Sequence, residues 1–277
     1  MFPPDAKLWD KGGKVMKTKQ WSPEKEINRA TIGIGNWTTR EIIEHRVNET
    51  IKVFEALQNA LPKLEAAADI IVDRAKKGGK VITIGAGGSG VAGMSVMREL
   101  PQNHRDIDPR QFTYHVTGGP AIFQPLGCEE LEDSREEGQA DVEKLGISEQ
   151  DVVISISATG RTPYTRGAAQ AARSRGAYTM GLLCQTGTEL EDEVDLPIIL
   201  EIGPEMFMGA TCEKAASAQK DALDAIMDAV VVRLGATDDN RTRARLVHEK
   251  ARIRARFFEQ TQQPVAIATI PPSHNTG

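Results

Sequence analysis

Two short segments of the chain each join a buried-strand pattern to a loop rich in glycine and hydroxyl side chains. The run 80–84 is apolar and β-branched, and the loop 85–90 (Gly-Ala-Gly-Gly-Ser-Gly) follows it directly. The run 151–156 has the same character and leads into the loop 157–162 (Ser-Ala-Thr-Gly-Arg-Thr). Strands that are apolar on both faces are typical of parallel sheets covered by helices. Because a helical pattern follows each loop, the chain is predicted to be an α/β protein.

The remaining patterns extend these two units into a doubly wound, mostly parallel sheet flanked by helices. Thr38 or Thr39 is predicted to cap a first helix that runs through Leu57, with Glu41 in its first turn. A second helix is predicted to end at Gly78-Gly79, where glycine accepts the left-handed conformation. Further strands are predicted at 113–116, 178–183 and 196–200, and further helices at 91–100 (ending before Pro101), 128–145, 163–175 and 214–234.

The chain divides into three predicted parts. Residues 1–38 are predicted to form an N-terminal arm, and residues 39–235 the main α/β domain with a sheet of about five strands. Residues 236–277 are predicted to form a C-terminal helix, over 241–256, followed by a frayed tail.

Composition and charge exclude several classes of function. The 277 residues are 40% hydrophobic and 26% charged, as in ordinary globular proteins. The net charge of -5 lacks the basic excess that is typical of nucleic-acid-binding proteins. No segment has the apolar length of a signal core or a membrane span. The three cysteines are far apart, which predicts a reducing, cytoplasmic compartment. The five histidines have no helical metal-ligand spacing, so we expect no metal site.

The two loops are predicted to bind an anion. In a doubly wound sheet, ligands bind beyond the carboxyl ends of the strands, where helix N-termini offer free N–H groups and partial positive charge. A dinucleotide fingerprint expects an acidic residue about 20 positions after the first loop. Arg105 and an irregular stretch occupy that place. A tight turn without a ligand remains the alternative. The candidate binding residues are Gly87, Gly88 and Ser89 in the first loop, and Ser157, Thr159, Gly160, Arg161 and Thr162 in the second.

These segments resemble the sugar isomerase (SIS) domain, and within it the N-acetylmuramic acid 6-phosphate etherases. The resemblance covers roughly residues 40 to 235, and the run 160–164 (Gly-Arg-Thr-Pro-Tyr) is its most specific part. The runs 84–90, 132–136 and 203–205 and the segment from Lys214 to Lys220 extend it, so Glu205 and Lys214 join the candidate binding residues. The chain departs from the family pattern at Val91 and Cys212, where the family has arginines.

The resemblance implies an SIS-type homodimer that cleaves a lactyl ether from a sugar 6-phosphate without a cofactor. Glu132 would remove the C2 proton, and Glu99 would protonate the departing ether oxygen. D-lactate would leave, and water would add to the unsaturated intermediate. Each of these residues could instead have no functional role. Glu132 would then lie on a solvated acidic face, Glu99 at a solvated helix end, and Arg161 in a surface ion pair. Two other functions stay open: a phosphosugar isomerase, and a non-catalytic binder resembling glucokinase regulatory protein.

Overall fold

A five-stranded sheet, parallel throughout, organises the protein. The structure, a computed structural model, describes residues 26–124, 129–239 and 241–243. The strands are β1 (Val81–Gly85), β2 (Phe112–Val116), β3 (Val152–Ser157), β4 (Tyr178–Leu183) and β5 (Leu196–Ile199). Their order is β2-β1-β3-β4-β5. The predicted α/β class is therefore confirmed. The chain moves outward from β1 to β2 and then returns to β3, so the topological switch point lies between β1 and β3.

Helices cover both faces of the sheet. The eight α-helices of the described residues are α1 (Thr39–Asn48), α2 (Ile51–Lys76), α3 (Gly87–Asn103), α4 (Glu129–Glu132), α5 (Arg135–Lys144), α6 (Pro163–Ser174), α7 (Glu189–Glu193) and α8 (Lys214–Arg233). Helices α2, α3 and α8 pack on one face, where α8 contacts both α2 and α3, while α5 and α6 pack together on the other.

The core forms two layers because successive side chains of a strand point to opposite faces. In β3, Val152, Ile154 and Ile156 pack toward α2, α3 and α8, whereas Val153 packs toward α5 and α6. Each of these side chains is at most 1% exposed. Burial on this scale is worth about 1.5–3 kcal/mol per side chain. The continuous apolar run of β3 is thus explained by two covered faces.

The N-terminal helices divide differently from the prediction. Thr38 caps α1 with Glu41 in a capping box, as expected. The chain turns at 49–50, so Ile51 and Leu57 belong to α2 and not to the first helix. The turn brings Glu49 inward, where its Oε2 lies 2.7 Å from Nζ of Lys214. The turn between α1 and α2, which the local periodicity did not indicate, therefore places Glu49 in a long-range ion pair with Lys214.

Helix α3 continues past the proline that was expected to stop it. It begins at Gly87 and ends at Asn103, so Pro101 lies in its last turn. Proline there removes a single N–H donor, and the N–H of His104 still donates to the carbonyl of Leu100 at 3.0 Å. Leu100 and Pro101 are both buried, which stabilises the extra turn.

Two predicted helices differ in their bounds. The predicted helix 128–145 is broken between Glu132 and Arg135, where the hydroxyl of Ser134 caps α5 by accepting from the N–H of Glu137. At the other end, β6 (Thr237–Asp238) and β7 (Arg241–Thr242) pair antiparallel, so the predicted C-terminal helix does not begin at Arg241. Its remainder, and the predicted arm before residue 26, lie outside the described residues. The predicted division into three parts stays a prediction.

Candidate functional site

The two glycine- and hydroxyl-rich loops meet at the carboxyl edge of the sheet. Since β1 and β3 are neighbours, the loops that follow them lie side by side at the switch point. Between them is an open cleft of about 480 Å³. The residues that line it are Ala86, Gly87, Gly88, Ser89, Glu132, Asp133, Ala158, Thr159, Arg161, Thr162, Pro163, Thr211 and Cys212.

The first loop forms the floor of the cleft beneath Glu132. Gly87 opens α3 with a φ of +50°, a conformation that glycine accepts readily. A Cβ at Gly87 would lie 2.8 Å from Oε1 of Glu132. The absence of a side chain at Gly87 therefore lets the carboxylate approach the loop. Ser89 is 9% exposed and lies in the first turn of α3.

The second loop is held in shape by its own side chains. Oγ of Ser157 lies 2.9 Å from Oγ1 of Thr162 and accepts from the N–H of Gly160 at 3.0 Å. Oγ1 of Thr159 accepts from the N–H of Arg161 at 3.2 Å. Thr159 and Thr162 line the cleft, whereas Ser157 is 2% exposed and supports the loop from beneath. The N-terminus of α6 opens onto the cleft, so its N–H groups and helix dipole favour an anion there.

Arg161 lines the cleft but is also bound by its neighbours. Its Nη1 donates to the carbonyl of Thr159 at 3.0 Å and to Oε1 of Gln185 at 2.8 Å. Its Nε lies 4.0 Å from a carboxylate oxygen of Glu189 and, within the described residues, has no hydrogen-bond partner. The guanidinium is therefore oriented in advance by Thr159 and Gln185, with its Nε directed toward Glu189. Among the described residues, no cluster of three metal-ligating side chains is found.

Glu99 lies far from this cleft. It is on α3, twelve residues after Gly87, which corresponds to about 18 Å along the helix axis at the usual rise. Its side chain is 57% exposed and lies 3.6 Å from Nη2 of Arg98. The two predicted catalytic carboxylates therefore do not meet within one copy of the chain.

Lys214 and Glu205 support the wall of the site instead of facing the cleft. Lys214 is 1% exposed, and its Nζ donates to Oε2 of Glu49 at 2.7 Å and to the carbonyls of Ile202 and Pro204. The carboxylate of Glu205 accepts from the N–H groups of Lys214 and Ala215, each at 2.9 Å, and so caps α8. The prediction that Lys214 meets the anion is not supported by these contacts, because a buried ammonium needs its full set of partners.

A smaller chamber of about 30 Å³ adjoins the cleft and shares Ala158, Thr159 and Thr211 with it. Glu205 lines this chamber, so that predicted residue borders the site without reaching the cleft. Burial raises the pKa of Cys184, which also lines the chamber, and so favours its thiol over the thiolate.

Sequence reasoning missed two supporting residues, Gln185 and Thr188. Gln185 accepts from Arg161, and the fully buried Thr188 lies so close to Gly160 that a Cβ there would collide with it. Gly160 has a φ of +65°. Both residues follow β4, whose carboxyl end lies beside that of β3. Parallel strand order would have indicated their proximity, although no motif marks them.

The fold and the cleft together define an α/β domain that presents a helix N-terminus and clustered hydroxyls to a phosphoester. The SIS domain family model matches residues 45–184. In solved structures, the chain superposes on a phosphoheptose isomerase from Neisseria gonorrhoeae with a TM-score of 0.52 at 17% identity, covering 72% of this chain and 100% of the other. The Vibrio vulnificus NanR protein complexed with ManNAc-6P superposes with a TM-score of 0.50 at 14% identity, covering 79% and 70%. At these identities the likeness shows the fold alone.

Comparison with curated relatives identifies the family within the SIS proteins to which the chain belongs. An N-acetylmuramic acid 6-phosphate etherase from Rubrobacter xylanophilus is 40% identical over 257 residues, which cover 92% of this chain and 80% of the relative. The etherase from Bacillus subtilis is 36% identical over 213 residues, covering 77% and 69%, and that from Lactobacillus acidophilus is 32% identical over 267 residues, covering 94% and 88%. The chain belongs to the N-acetylmuramic acid 6-phosphate etherase family of SIS proteins. Among the described helices, none combines the length and apolar character that crossing a bilayer requires.

Proposed function

We propose that this chain binds a sugar 6-phosphate and cleaves its ether bond as a carbon–oxygen lyase of the N-acetylmuramic acid 6-phosphate etherase type. The observation that carries the proposal is the juxtaposition of Glu132 with the phosphate-binding loops. Its carboxylate approaches Gly87 of the first loop and lines the same cleft as Thr159 and Thr162 of the second.

The phosphate is assigned to the N-terminus of α6. There Ser89, Thr159, Arg161 and Thr162 line the cleft, and the three hydroxyl side chains supply donors for the phosphate oxygens. Anchoring the phosphate fixes the sugar and turns proton removal into an intramolecular step. Glu132 is assigned as the base because its carboxylate faces the volume in which the sugar ring would lie.

The reaction then follows from proton transfer at C2. Glu132 takes the C2 proton, the electrons of that C–H bond form a C2–C3 double bond, and the C3–O ether bond breaks. The ether oxygen leaves as the hydroxyl of D-lactate after receiving a proton from an acid. Water adds across the double bond, so its hydroxyl goes to C3 and a proton returns to C2. General acid and base catalysis of this kind typically contributes about 10²–10⁴-fold in rate.

The acid is assigned to Glu99 of a second copy of the chain. Within one copy, α3 carries Glu99 about 18 Å from the first loop, beyond the reach of a shared substrate. The exposed apolar side chains Ile43, Val47, Ile51 and Phe54, each 57–63% exposed on α1 and α2, support pairing between copies. We therefore propose a homodimer whose site takes Glu132 from one copy and Glu99 from the other. The predicted cytoplasmic location stays a prediction.

Lactate release from N-acetylmuramic acid 6-phosphate tests the proposal. Wild-type chain should release lactate, and Glu132→Gln should not, whereas Glu130→Gln, at an exposed glutamate of the same helix that does not line the cleft, serves as the matched control and should keep most of the activity. No lactate from wild type at high enzyme concentration would refute the lyase assignment. Deuterium entry at C2 from heavy water without lactate release would indicate a phosphosugar isomerase instead.

Mixing two inactive variants tests the shared site. Glu99→Gln and Glu132→Gln, refolded or exchanged together, should regain about one quarter of wild-type activity, because half of the symmetric dimers are mixed and each mixed dimer has one intact site. Mixtures that stay inactive would show that the two carboxylates do not come from different copies.

A further inference from the structure

A buried carboxylate outside the cleft joins three elements of the fold. Oδ2 of Asp141 accepts from the hydroxyl of Tyr164 at 2.9 Å and lies 2.8 Å from Nε2 of His115. Its Oδ1 accepts from Nζ of Lys144 at 2.9 Å. Asp141 is 8% exposed and Tyr164 is fully buried. The carboxylate therefore links β2, α5 and α6 at one point on the α5–α6 face of the sheet.

The backbones of α5 and α6 also cross at close range. A Cβ at Gly138 of α5 would collide with the carbonyl oxygen of Tyr164, and a Cβ at Gly167 of α6 would collide with that of Arg135. Two glycines thus allow each helix to lie directly on the other. The hydrogen bond from Tyr164 to Asp141 spans the same contact and fixes the position of one helix along the other.

Both helices carry parts of the cleft at their N-termini. Thr162 and Pro163, immediately before Tyr164, line the cleft at the start of α6. Glu132 lies three residues before the start of α5. The neighbouring Leu131 lines a recess of about 220 Å³ together with Asp141 and Tyr164. The helix α4, which carries the base, therefore contacts α6, borders the same recess as the Asp141–Tyr164 pair and faces the cleft on its other side.

We propose that Asp141 is a positioning residue that, through the hydroxyl of Tyr164, holds Glu132 at its working distance from the phosphate-binding end of α6. A hydrogen bond fixes distance and direction, which apolar packing of the same volume does not. A misplacement of 1 Å can lower a rate by about 10²-fold. This inference rests on the proposed role of Glu132.

The test compares two conservative substitutions with two matched controls. Asp141→Asn and Tyr164→Phe change the pair while keeping its volume. Asp151→Asn is the control for a buried aspartate, since its carboxylate accepts from the N–H groups of Lys80 and Ser148 at the opposite edge of the sheet. Tyr178→Phe is the control for a tyrosine, since Tyr178 lies at the start of β4, away from the cleft.

Three readouts are taken on the full chain: kcat and KM for lactate release from N-acetylmuramic acid 6-phosphate, Tm, and amide hydrogen exchange of residues 129–134. Asp141→Asn and Tyr164→Phe should each lower kcat at least tenfold, change KM less than threefold and speed exchange over 129–134. The double variant should lose no more than the worse single variant, because both act through one contact. The two controls should lower Tm without changing kcat more than twofold.

Equal losses of kcat in the controls, or a kcat within twofold of wild type in both test variants, would overturn the inference. If wild type itself releases no lactate, the proposed function fails, and the exchange measurement alone decides the positioning role. Exchange over 129–134 that is the same in the test variants as in the controls would then refute it.

Discussion

The two loops of the cleft occupy equivalent places in the fold but are built in opposite ways. The second loop is stiffened by its own hydroxyls, with Ser157 bonded to both Thr162 and Gly160. The first loop is formed largely by glycines, and Glu132 lies against it. The difference indicates a division of labour: the second loop supplies most of the donors to the anion, whereas the first supplies Ser89 and leaves room for the reacting part of the sugar and the base. Changes in the second loop should therefore act mainly on affinity, and changes in the first mainly on turnover.

The largest expected effect is on turnover at the first loop. Glu132→Gln should lower kcat by about 10²–10⁴-fold, the range for loss of a general base. Affinity for glucose 6-phosphate, measured by calorimetry, should change less than threefold because the second loop is intact. A parallel loss of affinity would show that Glu132 contributes to the anchor and would break the comparison.

The next effect is on stability at the second loop. Gly160→Ala forces a side chain into a left-handed conformation and against the buried Thr188, so we expect a loss of about 1–3 kcal/mol in the free energy of unfolding, with weaker phosphate binding. Gly146→Ala, at a φ of +58° with open space around it, is the control for the backbone cost alone. Urea denaturation of both variants gives the difference. Equal losses would mean that Thr188 does not constrain the loop.

The matching change at the first loop should spare stability relative to Gly160→Ala. At Gly87 a Cβ meets the end of the Glu132 side chain, which can move aside. Gly87→Ala should therefore lower kcat. Its loss of unfolding free energy should stay close to the backbone cost measured in Gly146→Ala. A variant with normal kcat would contradict the placement of Glu132 over this loop.

Smaller effects should distinguish the two serines. Ser157→Ala leaves the N–H of Gly160 without its acceptor, which should cost about 1–3 kcal/mol of stability as well as affinity. Ser89→Ala removes a direct donor to phosphate, which should weaken glucose 6-phosphate binding by about 0.5–1.5 kcal/mol and leave Tm unchanged. Thermal melts and calorimetry on both variants provide the check, and a drop in Tm only for Ser89→Ala would reverse the assignment.

The smallest expected effect is the pH dependence of stability at Asp141, which joins α5 to α6 behind the second loop. Burial alone would raise the pKa of Asp141, but the hydrogen bonds from Lys144 and Tyr164 and the charge of His115 outweigh it and lower that pKa. A depressed pKa stabilises the fold above the unfolded value of about 3.9, and this stability is lost as pH falls through the folded value. The gap in unfolding free energy between wild type and Asp141→Asn should thus be present above about pH 4 and shrink as pH falls below that value. A gap that widens toward low pH would contradict the sign of this effect.

Local signals predicted much of the fold. The two strand–loop–helix units, the capping by Thr38 and the start of α8 at Lys214 were predicted from their own residues and neighbours. The break before α5 was missed, although Ser134 and Glu137 have the spacing of a helix cap. The side chains that support the loops were harder to find, because Gln185 and Thr188 depend on strand order and not on a motif.

Side-chain direction explains the predictions that the structure does not support. Lys214 follows a family pattern, but its partner Glu49 lies 165 positions earlier, so the sequence did not reveal that the ammonium is already paired. Glu99 was predicted from the family resemblance, and twelve helical residues carry it away from the loop where α3 begins. Family resemblance assigns a position in the chain, whereas burial and helix length decide what the side chain can reach.

The most direct test of the central claim is a crystal structure of Glu132→Gln with bound N-acetylmuramic acid 6-phosphate. The phosphate should lie at the start of α6, within hydrogen-bonding distance of Thr159 and Thr162, and C2 of the sugar should face the side chain at position 132. A phosphate bound elsewhere, or a sugar ring whose C2 points away from α4, would contradict the account.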